Sequence, residues 1–258
     1  MRKGVGILVL VTATMAGALG GPWVVERIAG IELFRVTEVV VEGGHYLVAE
    51  EIRSAAAVPR GASLWDDLAP VLERLRAHPG IQEAKAERRP PGTIVLLIEE
   101  REPVAMVPTP TLTPVDAEGA VLPFDPALEG LDLPLLSPRR ETVPGGAAEA
   151  GAPLSPAELH VLTAELDRLG RTLPDLVAST SDVALDDWGS VVLHLDQPRV
   201  LLRYLPPLSP RRLQEALLAF EDAVRRNPGH PPVELDLRFQ EQVVVGFSPR
   251  PARGGVAP

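Results

Sequence analysis

The feature that most constrains this chain lies near its start, where residues 4–25 carry no charged side chain. A helix of that length, rising about 1.5 Å per residue, crosses a hydrocarbon core of roughly 30 Å. Arg2 and Lys3 precede the run and Glu26 comes directly after it, so the positive-inside bias leaves residues 1–3 in the cytoplasm and sends the rest outward. A cleaved signal peptide is the competing reading, because Ala16-Gly17-Ala18 has the small-x-small form. An uncharged run longer than the usual ~7–15-residue signal core favours retention. A buried helix of a soluble domain fits less well, since the run has no polar face.

The remainder of the chain is long enough for two modest domains, and 45% hydrophobic content can fill their cores. The 25 Lys+Arg against 35 Asp+Glu leave a net charge of −10, which repels phosphate backbones and argues against nucleic-acid binding. Cysteine is absent, so disulfides, thiolate metal sites and a cysteine nucleophile are excluded together. The five histidines (His45, His78, His160, His194, His230) are scattered without a second ligand at metal-site spacing. No phosphate-cradling glycine loop is present, and Gly189-Ser190 lacks the flanks of a nucleophile elbow. Asp186-Asp187 before Trp188-Gly189 reads as a turn rather than a carboxylate dyad. No catalytic residue, metal, cofactor or small-molecule substrate is expected.

The pattern over 34–102 predicts a small α+β domain. Branched residues over 34–41 read as a strand closed by Gly43-Gly44. Helical spacing comes next over 49–57 and 66–78, where Leu68, Val71, Leu72 and Leu75 share a face that Pro79-Gly80 ends. Extended runs over 81–88 and 93–99, split by Pro90-Pro91-Gly92, complete the order strand, helix, helix, strand, strand. Two helices on one face of a three-stranded sheet make a compact unit.

Residues 103–248 predict a second domain of short strands with two helices. Strands are read over 104–107, 112–115, 190–195 and 199–205, with a turn at Asp116-Ala117-Glu118-Gly119. Ser155-Pro156-Ala157-Glu158 opens a helix as a capping box, and Gly170 is placed to end it. A second capped helix starts at Ser209-Pro210, with Leu213, Leu217, Phe220 and Val224 on one face. Residues 139–153 lack periodicity and read as a flexible insertion, and 249–258 as a disordered tail. Near the end, Val233, Leu235, Leu237 and Phe239 alternate with Glu234, Asp236 and Arg238, which predicts a half-buried strand over 233–239. A turn at Gln240-Glu241-Gln242 leads into a last strand over 243–247, whose outer edge is left unpaired. A solvated cross-strand ion pair is the expected role of Asp236 and Arg238.

These residues resemble the FtsQ/DivIB family of cell division proteins. The first domain is similar to the family's POTRA module, with Glu100-Arg101-Glu102-Pro103-Val104-Ala105 matching its Glu-Arg-x-Pro-Val-Ala. The second is similar to its β domain through Val115-Asp116-Ala117-Glu118-Gly119-Ala120-Val121, Leu133-Pro134-Leu135-Leu136, and an FtsQ-like end, Asp236-Leu237-Arg238-Phe239 then Val243-Val244-Val245-Gly246-Phe247. Ser137 and Leu202-Arg203 depart from the family pattern, which has glycine and Gly-Arg there, and the tail before the run is short. The resemblance implies an N-terminal transmembrane helix, a POTRA domain of order βααββ and a mixed β domain with two helices and an antiparallel sheet. It implies a non-catalytic divisome scaffold at the septum that binds FtsB and FtsL and helps regulate septal peptidoglycan synthesis. Carried onto matching positions, Phe239, Val243, Val244, Val245, Gly246 and Phe247 would contact FtsB. On the residues alone Phe239 also suits a core position, whereas Phe247 beside Gly246 does not. A POTRA-containing outer-membrane assembly or transport protein would continue into a barrel, for which too few residues remain. An exported hydrolase would need an acid/base pair that the spacing does not supply.

Overall fold

The computed structural model describes residues 32–108, 111–137 and 154–248. The uncharged run over 4–25, the insertion over 139–153 and the tail over 249–258 lie outside the described residues. Among those described, no helix is long and apolar enough to cross a membrane. The chain divides into two compact units between Arg101 and Glu102.

The first unit opens with a 3-10 turn, Glu32–Phe34, and then holds β1 (Glu38–Glu42), α1 (Ala49–Ala56), α2 (Ala69–Arg76), β2 (Ile81–Arg89) and β3 (Thr93–Glu100). Its sheet runs β1-β3-β2, with β1 parallel and β2 antiparallel to β3. Ile94, Leu96 and Ile98 share one face of β3 and are buried, as are Val95 between them, Ile52 and Ala56 of α1 and Val71 and Leu75 of α2. Two boundaries differ from expectation. The first strand starts at Glu38 rather than at residue 34, because Phe34 closes the 3-10 turn and Arg35 bridges to Ser63. The second helix starts at Ala69 rather than at residue 66, because Asp66 and Asp67 use their carboxylates to accept from Ser63 N and Ala69 N, fixing a turn ahead of it. Leaving β1, the backbone passes Gly43 at φ +95°, where a Cβ would lie 2.3 Å from the Ile98 carbonyl oxygen, so only glycine fits. Buried Glu100 locks the loop beyond: its carboxylate accepts from His45 N (2.8 Å), Tyr46 N (2.7 Å) and Leu47 N (2.8 Å).

The second unit contains β4 (Ala105–Pro108), β5 (Leu112–Val115), α3 (Pro126–Glu129), β6 (Leu135–Leu136), α4 (Pro156–Thr172), α5 (Pro174–Ala178), β7 (Thr180–Leu185), β8 (Val191–Asp196), β9 (Arg199–Tyr204), α6 (Pro210–Arg226), β10 (Pro232–Asp236) and β11 (Val244–Phe247). They build one eight-stranded sheet ordered β11-β10-β9-β8-β7-β6-β4-β5. The fold is α+β as expected, but the sheet is mixed rather than antiparallel, since β6 is parallel to both β4 and β7, and β10 is parallel to β9. Parallel neighbours need a crossover: β5 and α3 lie between β4 and β6, α4 with α5 between β6 and β7, and α6 between β9 and β10. The short helices α3 and α5 add to the two expected.

One apolar row runs across this sheet in register: Leu136, Val183, Leu193, Leu202, Leu235 and Val245. It packs in a single cluster with Leu162, Leu166 and Leu169 of α4 and with Leu213, Ala216 and Phe220 of α6. The capping box at Ser155 and Glu158 is formed, and α4 runs past Gly170 to Thr172. On α6 the apolar line differs from expectation: Ala216 and Ala223 are buried, whereas Leu217 and Val224 are exposed. Close approach of helix to sheet selects the small residues for the contact.

Candidate functional site

The six residues singled out near the C-terminus are divided by the structure into a strand and a turn. β11 carries Val244, Val245, Gly246 and Phe247, with Val243 just ahead of it. Phe239 sits in the bend between β10 and β11, 46% exposed, and is not part of a strand. The strand expected over 233–239 stops at Asp236, so the reading of Phe239 as a core residue is corrected. Phe247 is 37% exposed and stacks on His230, with ring centroids 5.6 Å apart and planes at 15°.

β11 is the end strand of its sheet, antiparallel to β10, with Val244 opposite Asp236, Val245 opposite Leu235 and Gly246 opposite Glu234. Which backbone groups stay open is set by β10. Leu237 N donates to Arg203 O at 2.7 Å, and the parallel register places Asp236 beside Arg203, so Leu235 and Leu237 direct their polar groups to β9. By alternation Glu234 and Asp236 direct theirs to β11, where they meet Gly246 and Val244. The N–H and C=O of Val245 therefore point away from β10, to the open side. No charge or proline, two of the devices that blunt natural edges, stands over 243–247.

The turn that delivers β11 is held from α6. Arg212, capped to its helix start by Ser209, donates through Nη2 to the carbonyl oxygens of Phe239 (2.8 Å), Gln242 (3.1 Å) and Leu237 (3.3 Å), and its Nη1 pairs with Glu215. One guanidinium thus satisfies three carbonyls that have no ladder partner, which is why the backbone leaves the strand at Asp236 although the alternating pattern continues. Nothing in the sequence marked Arg212, one of many arginines on helical faces.

Beside β11, on the sheet face opposite the helices, lies a recess of about 300 Å³ lined by Trp188, Arg203, Glu234, Asp236, Arg238, Val244 and Gly246. Arg203 joins Asp186 of the β7–β8 turn (2.7 Å) to Glu234 of β10 (2.9 Å). Arg238 grips Asp236 through Nε (3.0 Å) and Nη2 (2.7 Å), and its guanidinium carbon lies 5.6 Å from the centroid of Trp188, itself 74% exposed. Asp236 is buried and pairs two positions along its own chain, so the expected solvated cross-strand pair is corrected on both points. Burial opposes the charge on Asp236, but the side chain and backbone N–H of Arg238 outweigh it and hold the carboxyl below its ordinary value. Asp186 is lowered in the same way: burial works against it, and Ser190 N, Arg203 and Trp188 N prevail. The expected turn at Asp186 is present, with that carboxylate accepting from Trp188 N (2.9 Å) and Ser190 N (2.8 Å). Among the described residues no group of His, Asp and Glu is placed to hold a metal ion.

Residues 34–101 match the family model described as POTRA domain, FtsQ-type. Over 232 residues the chain is 30% identical to the cell division protein FtsQ of Rhodothermus marinus, covering 86% of this chain and 81% of that one. The FtsQ of Streptomyces coelicolor is 32% identical over 202 residues, 76% of this chain and 72% of its own. That of Syntrophotalea carbinolica is 26% identical over 166 residues, 63% and 57% respectively.

Proposed function

The chain belongs to the FtsQ family of cell division proteins, and from that premise we propose that it is a non-catalytic scaffold of the inner membrane that binds FtsB and FtsL and helps regulate septal peptidoglycan synthesis. Residues 1–3 lie in the cytoplasm, 4–25 span the bilayer, and the POTRA domain (34–102) and β domain (103–248) stand in the periplasm at the division septum. The observation that carries the docking mode is the open side of β11. FtsB adds a strand to it, taking the N–H and C=O of Val245 as its first ladder partners, while Phe239 and Phe247 supply apolar anchors on either flank. Val243, Val244 and Gly246 complete the contact.

A scaffold role rather than catalysis is favoured by the chemistry beside the edge. Asp186, Glu234 and Asp236 are each engaged by an arginine, so their charges hold strands together instead of standing ready for proton transfer. The test is a pull-down from division-site membranes with the full chain and with a chain ending at Gln242. Capture of FtsB and FtsL by the first and not by the second is the expected result; equal capture by both overturns the docking mode.

A further inference from the structure

We propose that the end of the first domain formed by Leu33, Phe34 and Trp65, with Arg35 and Arg60 beside them, is a foot that rests in the headgroup layer of a phospholipid bilayer. The inference depends on residues 4–25 being a membrane span, and goes beyond it by assigning a second, peripheral contact to the folded domain.

Chain length brings this end to the bilayer. Residues 26–31 are all that separate the uncharged run from Glu32, so a fully extended connection keeps Glu32 within about 25 Å of Val25. The chain thus keeps the start of this domain close to the boundary between hydrocarbon and water.

The surface found there suits that boundary. Leu33 is 64% exposed and Trp65 41% exposed, while Phe34 sets its ring edge-on to Trp65 with centroids 6.0 Å apart. Three apolar side chains from two distant stretches become one patch because the backbone stitches the stretches together: Val36 N donates to Ala62 O and Leu64 N to Phe34 O, both at 2.8 Å. Tryptophan is enriched at membrane interfaces, where its ring is buried among headgroups and its N–H stays wet. Aliphatic side chains beside it add buried area, as in proteins that lie on a bilayer.

Charge at this end departs from the rest of the molecule. Exposed Arg35 donates to Gly61 O at 3.1 Å, exposed Arg60 is its neighbour in the same turn, and Arg88 donates to Leu64 O at 2.7 Å and Asp66 O at 2.9 Å. The acidic groups here are Glu32, Asp66 and Asp67, of which the last two are turned onto the N–H groups of Ser63 and Ala69. A chain of net −10 is on average repelled by anionic lipid, whereas this end balances three arginines against three acids and meets phosphates without that penalty.

The test uses the full chain, whose tryptophans are Trp23, Trp65 and Trp188. With Trp23→Phe and Trp188→Phe, Trp65 is the sole emitter, and the protein is placed in nanodiscs of phosphatidylethanolamine and phosphatidylglycerol, plain or brominated near the headgroups. The foot predicts that bromination removes about half of the Trp65 emission, and that adding Leu33→Ser and Arg60→Glu restores most of it. A companion carrying Trp65→Phe and Trp188→Phe reports on Trp23 near the end of the proposed span. Quenching of Trp23 with no quenching of Trp65 overturns the foot and leaves the anchor standing; quenching of neither overturns both.

Discussion

Replacing Val245 with proline tests the open edge of β11 most sharply. It removes an N–H that the register directs away from β10, so the ladder between β10 and β11, built by Val244 and Gly246, keeps its bonds. Proline is tolerated on edge strands when its missing donor faces outward, and its demand for an extended preceding residue agrees with Val244 in a strand. A strand added to the edge loses one hydrogen bond, about 1 kcal/mol, and must bury a carbonyl left without a donor, about 1 kcal/mol more at the low end. The sum, about 2 kcal/mol, corresponds to roughly thirtyfold weaker FtsB binding. Val244→Pro, by contrast, removes a donor aimed at Asp236 and should unfasten β11 itself. Titration of the detergent-solubilised chain with FtsB, paired with urea unfolding of each variant, distinguishes the two. Val245→Pro should lose affinity with an almost unchanged urea midpoint, and Val244→Pro should lose both. Wild-type affinity in Val245→Pro would refute strand addition.

Other tests bear on the supports of that edge and on the first domain. Arg212→Ala should raise amide exchange over 238–245 and weaken FtsB binding about tenfold, and Arg212→Lys should rescue only in part, because one ammonium cannot both meet the carbonyls held by Nη2 and keep the separate pairing of Nη1 with Glu215; unchanged exchange in that stretch would count against the clamp. Glu100→Gln keeps one acceptor oxygen but turns an NH₂ toward backbone donors, and should lower the stability of the first domain by about 2 kcal/mol in urea unfolding, with Tyr46 exchanging faster. Because Asp186 and Asp236 are held below the ordinary carboxylate value of about 3.9, their contribution is complete above that pH and fades as pH falls through the lowered values in the folded state. Asp186→Asn should therefore be less stable than wild type at neutral pH and show a shallower loss on acidification; parallel acid limbs would contradict this.

The first domain is largely legible in the sequence because its elements are sharply bounded: β3 is an unbroken branched and apolar run that follows Pro90-Pro91-Gly92, and α2 repeats Val71 and Leu75 a turn apart. In the second domain the pattern misleads where tertiary contacts override it. Thr180–Leu185 does not stand out as a strand because only Val183, Ala184 and Leu185 are apolar, too short a run to mark one, and they are buried in succession on both faces of a central strand. An antiparallel sheet is the natural expectation because periodicity identifies a helix but not that it returns the chain to a parallel neighbour. The strip from Val233 to Phe239 alternates to its end, yet pairing ceases at Asp236, where Arg212, far off in sequence, draws the carbonyls aside. The edge residues themselves are readable from position and composition; the salt-bridged recess next to them needs three strands and a turn to converge, which no local window contains.

The parallel pairing of β1 with β3 has a mechanical consequence. The chain enters the first domain at the start of β1 and leaves it at the end of β3, and these two strands are neighbours over five residue pairs, from Glu38 beside Thr93 to Glu42 beside Leu97. Tension applied between entry and exit slides the two strands past each other along their length, so all the rungs between them are strained at once instead of being peeled one by one. A domain threaded in this way resists stretching between its two ends far better than one whose terminal strands unzip rung by rung.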